Sequence, residues 1–142
     1  MSTEELDSLV KSGQLKSEPG TRAEFDGLVS SARKRLADAR NDRLSSESRF
    51  DLAYNAAHAF ALAAMRRHGY RPEKRYVVFQ ALGHTLGVSA AVWRVLAKSH
   101  NQRNLAEYEG YSEVDEQLLS DLIRCATELE AAIAAVDPPA QG

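Results

Sequence analysis

Residues 45–69 read SSESRFDLAYNAAHAFALAAMRRHG. From Phe50 to Met65 nearly every position is Ala, Leu, Phe or Tyr, the composition of a helix that is apolar on most sides and must be buried on most sides. Ser45-Ser46-Glu47 suits a helix start. Arg66-Arg67-His68-Gly69 puts basic side chains and then glycine where a helix C-terminus favours them. The stretch predicts one long central helix, the most buried element, around which the rest of the chain must pack.

Working outward, Thr21 with Glu24 forms a capping box, and Phe25, Leu28, Val29, Ala32 and Leu36 recur on one helical face up to about Asn41. Further upstream, Ser2 with Glu5 opens a short helix that ends near Gly13, and Ser17-Glu18-Pro19-Gly20 reads as a linker. Downstream, Pro72 suits the first turn of a helix reaching about Leu86, with Tyr76, Phe79, Gln80 and Gly83 along it, and Gly87 breaks it. Ser89 caps a helix that carries Trp93, Leu96 and Ala97 inward. Ser112 with Asp115 opens the last helix, where Leu118, Leu119, Leu122, Ile123, Ala126, Leu129 and Ile133 keep helical period until Asp137-Pro138-Pro139. There is no useful period-two alternation and no internal repeat. The expectation is an all-α up-and-down bundle of four to five core helices without a sheet. Residues 1–20 form an appended N-terminal helix and linker, 21–136 the bundle and 137–142 a tail. Phe60, Phe79, Trp93, Leu122 and Leu129 are expected in the core.

Composition narrows the functional classes. The chain of 142 residues fits one domain with a core of its own. Its 18 Lys and Arg stand against 20 Asp and Glu, so no global field draws it to nucleic acid or a membrane surface, and any anion binding must be local. Cys125 is the only cysteine, which excludes an intramolecular disulfide and a cysteine-based zinc site and suits a reducing compartment. The start Met-Ser-Thr-Glu-Glu-Leu-Asp is acidic where a signal peptide would be basic, and the run from Ala59 to Met65 is too short to span a bilayer. The expectation is a soluble cytoplasmic protein with no membrane partner.

Polar, ionisable and aromatic residues crowd into residues 100–111, HNQRNLAEYEGY. On a helix, Arg103 shares a face with His100 and Glu107, and Asn104 shares one with Tyr108. This arrangement can hold a phosphate or form an exposed Arg103–Glu107 salt bridge, which is worth little. Tyr111 can stack on a base or plug the end of the bundle. Arg66, Arg67, His68, Arg71, Lys74 and Arg75 concentrate positive charge around one turn, interleaved with Tyr70 and Tyr76. They suit a phosphate or single-strand contact, or they complement a helix C-terminus and stay solvated. His58 reads as a packed core histidine or a proton carrier approaching from the side. The histidines lie too far apart for a metal centre, there is no phosphate-cradling glycine loop, and no cofactor is implied.

Over residues 30–136 the order of features resembles the HEPN family, small helical domains of prokaryotic toxin–antitoxin pairs and nucleotide-handling systems. The resemblance rests on Ala-Tyr-Asn-Ala-Ala-His-Ala-Phe at 53–60, on His-Gly-Tyr-Arg-Pro at 68–72, and above all on Arg-Asn-Leu-Ala-Glu-Tyr at 103–108. It implies a metal-independent ribonuclease motif of Arg, neighbouring Asn, a short spacer and His, set at the interface of a symmetric homodimer. Arg103 and Asn104 match; Tyr108 stands where His is expected.

RNA cleavage by the ribose hydroxyl requires stabilised phosphoryl charge and proton transfer. Arg103 suits the first, because its fork of donors matches phosphate geometry. Tyr108 suits the second poorly, since a phenol with a pKa of roughly 10 is protonated at neutral pH. His100, one turn before Arg103, is an alternative proton carrier. The resemblance therefore implies a module that binds RNA, DNA or a nucleotide with a degenerate cleavage motif. The alternatives are a ribonuclease or toxin component with an antitoxin or nucleotidyltransferase partner, and a helical protein that only binds other proteins.

Overall fold

The structure, a computed structural model, describes residues 3–74, 76–110 and 113–140, and the side chains of residues 3 and 107–109 lie outside that description. It is an all-α helical bundle carrying one very small sheet. The elements run α1 (Thr3–Lys11), β1 (Leu15–Ser17), α2 (Arg22–Ala39), α3 (Ser46–Arg67), β2 (Tyr70–Pro72), α4 (Val77–Gln80), α5 (Leu82–Thr85), α6 (Ala90–Glu109) and α7 (Glu116–Ala134).

The central helix is α3. Ser45 caps it by accepting the Ser48 N–H, His68 closes it, and twelve of its side chains are buried, from Phe50 to Arg66. Its many alanines let the α2 and α7 backbones approach closely, so Ala32, Leu36 and Ala39 of α2 and Leu122, Ala126 and Leu129 of α7 are fully buried against it. Thr21 caps α2 through the Glu24 N–H, as the capping box predicts. Phe60, Phe79, Leu122 and Leu129 are fully buried.

Four expectations need correction. The 70–86 region is not one helix. Pro72 disfavours helical backbone at the residue before it, so Tyr70–Pro72 extends as β2, followed by the two short helices α4 and α5. The chain does contain a sheet: β2 pairs antiparallel with β1, Leu15 opposite Pro72 and Ser17 opposite Tyr70, too short for alternation to announce it. The N-terminal segment is no appendage, because Leu6 and Leu15 join the main core and Tyr70 Oη donates to Asp7 at 2.6 Å. Trp93 is 36% exposed, because α6 buries Val92, Leu96 and Ser99, a stripe rotated one residue from the expected one. The proposed cap at Ser112 lies outside the described residues. Asp115 caps α7, accepting from the N–H groups of Gln117 and Leu118.

No described helix is long and apolar enough to cross a membrane. Cys125 is 2% exposed and burial pushes its thiol up to about 11, so it is no nucleophile at neutral pH.

Candidate functional site

Where α6 crosses α3, a polar cluster interrupts the apolar interior. On α3 the spacing of Asp51, Tyr54, Asn55 and His58 puts all four on one helical face. On α6, His100, Arg103 and Asn104 face the same seam until Gly110 ends the helix with a left-handed backbone, φ +81°, and bonds its N–H to the Ala106 carbonyl.

Tyr54 is fully buried, and its hydroxyl lies 2.9 Å from His100 Nδ1. Asn104 Nδ2 lies 3.1 Å from His100 Nε2. Both ring nitrogens of His100 are thus in hydrogen-bond reach of a side chain, which fixes the plane of the imidazole. Tyr76 lies tilted by 36° against His100 with centroids 4.5 Å apart, and Phe79 meets Tyr54 and His58 edge-on, each at 5.7 Å.

Arg103 is three-quarters buried at its side chain. Its guanidinium carbon stands 5.0 Å from the Tyr54 ring centroid, and Nε lies 4.0 Å from Asp51 Oδ1, the outer limit of an ion pair. The seam therefore presents a guanidinium lying over one aromatic ring, an amide, an imidazole lying against another, and an exposed carboxylate at the rim. Such a wall can take an anionic oxygen at Arg103 and Asn104 and a flat group against the rings.

The structure thus gathers Arg103, Asn104 and His100, while the side chains of Tyr108 and Glu107, with Tyr111 and Arg75, lie outside the described residues. Sequence reading overlooked Asp51 and treated Tyr54 as core alone. Their polar spacing along an apolar helix is the signal that marks them.

The basic turn is a separate place with a different job. Arg66 is 4% exposed and is corrected from surface contact to internal staple. Its Nε donates to Glu24 at 2.8 Å, Nη1 to the carbonyls of Glu18 and Tyr70 at 2.9 and 3.1 Å, and Nη2 to the Pro19 carbonyl at 3.1 Å, while Nη2 is also ion-paired with the Glu18 carboxylate at 3.0 Å. The predicted linker is therefore pinned. A Cβ on Gly20 would stand 2.6 Å from the Arg66 carbonyl oxygen. Arg71 pairs with Glu18, and that bond holds the Glu18 carboxyl below its usual range. Arg67 donates to the Asp137 carbonyl, and Lys74 is exposed.

His68 in this turn makes acid sensitivity testable. Burial, opposed by its 3.1 Å bond to the Thr85 carbonyl and assisted by Arg67, lowers its pKa below 6.5. A depressed folded pKa means that the unfolded chain binds the proton first. Its contribution is complete above pH 6.5 and declines as pH falls through the folded value. The urea midpoint of the wild type should fall between pH 7.5 and 5.5, and His68→Gln should show a smaller fall; equal pH profiles would contradict this role.

Among the described residues, no three His, Cys, Asp or Glu side chains gather to hold a metal ion. No protein-family model, curated protein or solved structure matches the chain.

Proposed function

We propose that this chain is a HEPN-like module that binds the phosphate of a nucleic acid or nucleotide along the α3–α6 seam and does not cleave it. The observation that carries the reading is the convergence of Arg103 and Asn104 with the rings of Tyr54, His100 and Tyr76 on one wall. A guanidinium oriented by an aromatic face loses little freedom on meeting phosphate, and aromatic and imidazole rings beside it suit a base. Loss of cleavage rests on Tyr108 standing where the resembled motif has histidine. The resemblance extends the proposal to a symmetric homodimer that brings two Arg103 segments together. Light scattering should give a dimer; a monomer across a wide concentration range would remove the shared groove.

One observation favours metal-independent cleavage as the second reading. His100 lies one turn from Arg103 and bonds Tyr54 and Asn104, so its ring is oriented as a proton carrier must be. An antitoxin or nucleotidyltransferase partner would belong with that reading. Wild type, His100→Ala and Tyr108→His should be assayed with a labelled single-stranded RNA in chelator, for binding by anisotropy and for cleavage on gels. The binding module predicts retained binding and no cleavage by the wild type. Wild-type cleavage abolished by His100→Ala would overturn it in favour of the nuclease.

A further inference from the structure

A second pocket lies on another face of the bundle, where the end of α2, the first turn of α3 and the start of α7 meet. It is a cavity of about 370 Å³ lined by Arg40, Arg49, Glu116, Leu119, Ser120 and Ile123. This volume falls in the usual range for small-molecule sites, roughly 300–1,000 Å³.

Its two arginines are anchored but not consumed. Arg49 is half-buried, and its Nε donates to the Ala39 carbonyl at 2.8 Å, closing the end of α2 and fixing the plane of the guanidinium. Among the described residues, its Nη1 and Nη2 make no hydrogen bond. Arg40 gives one nitrogen, Nη2, to Thr127 Oγ1 at 2.7 Å. Opposite them, Glu116 accepts from Ser46 Oγ. Two guanidinium groups against one carboxylate leave a single positive charge uncompensated. Ile123, half-buried on α7, and the edge of the core residue Leu119 one turn before it supply an apolar wall beside it.

We infer that the α2–α3–α7 pocket binds a small organic monocarboxylate, its carboxylate on the terminal nitrogens of Arg49 and its apolar body against Leu119 and Ile123. The charge balance selects a monoanion, since a dianion would face Glu116 with excess negative charge. The pair of Nη groups suits a carboxylate, which takes two parallel N–H bonds, and the charge balance is what sets it apart from a phosphate. Such an occupant touches α3 and α7 together and favours the folded chain by mass action.

The probe is 3-phenylpropionate, titrated calorimetrically into the full chain, with 3-phenylpropanol as its neutral counterpart and phenyl phosphate as a dianion. The expected result is saturable one-to-one binding of the carboxylate, at least tenfold weaker binding of the alcohol, and no gain with the phosphate. Arg49→Lys keeps the charge but loses the fork and should weaken binding at least tenfold. Ser120→Asp, at an exposed position, adds negative charge to the pocket and should abolish binding without disturbing the core. Arg103→Ala should bind the probe as the wild type does, which separates this pocket from the α3–α6 seam. Lack of saturable binding by the wild type, equal binding of the alcohol, tighter binding of phenyl phosphate, indifference to Ser120→Asp or loss in Arg103→Ala would each overturn the assignment.

Discussion

Arg66→Ala should destabilise the protein by about 3–5 kcal/mol, the cost of removing one partner from a buried charge network. Arg66 is buried and holds the Glu18–Pro19–Gly20 segment against the end of α3, and all three of its guanidinium nitrogens are used. Alanine would leave the carbonyls of Glu18, Pro19 and Tyr70 without that donor and empty the space of a long side chain. The Glu18 and Glu24 side chains are 38% and 35% exposed, so water can recover part of their loss, and the expected value lies near 3 kcal/mol. Arg66→Lys preserves the charge but cannot reach all five acceptor atoms, and should fall between wild type and alanine. Urea unfolding followed by circular dichroism measures all three. A change below about 1 kcal/mol, the scale of an exposed ion pair, would contradict the staple.

Arg103→Ala should act in the opposite sense, sparing the fold and removing the function. Its Asp51 contact is long and Asp51 is 65% exposed, so that pair adds little, while the guanidinium over the buried Tyr54 ring is worth on the order of 1–2 kcal/mol, a loss that circular dichroism should show the helical fold to survive. Binding of single-stranded RNA should weaken by about 1.5–3 kcal/mol, the loss of a charge-assisted contact, or roughly 10- to 150-fold. Arg103→Lys should recover part of this loss, since an ammonium supplies charge without the planar fork. Unchanged affinity in the alanine variant, measured by anisotropy at fixed salt, would remove the seam as the binding site.

The helices with strong local signals were legible. Thr21, Ser45 and the apolar period of α7 mark elements that the structure contains, because capping and burial act within one turn or along one face. The failures share a cause in tertiary context. Pro72 is a local reason for residues 70–72 to leave the helix, but their pairing as a strand is with residues 15–17, a contact beyond any local window. Trp93 faces outward because α6 has alanines on several sides and its inward stripe is set by α7, α3 and α4, not by its largest side chain. Arg66 looked like one more basic residue at a helix end, and only the fold shows Glu18 and Glu24 converging on it. At the seam, Arg103, Asn104 and His100 were visible as one run, whereas Tyr54 and Asp51 reach them from a helix about fifty residues away.

The central claim, that the α3–α6 seam is where the chain meets a phosphate-bearing ligand, is tested most directly by mapping amide chemical shifts while a short single-stranded RNA is titrated into the isotopically labelled protein. The account predicts saturable shifts centred on Asp51, Tyr54, His100, Arg103 and Asn104, absent in Arg103→Ala. Shifts centred instead on the Arg67–Arg71–Lys74 turn or on the Arg40–Arg49 pocket, or no saturable shifts at all, would contradict it.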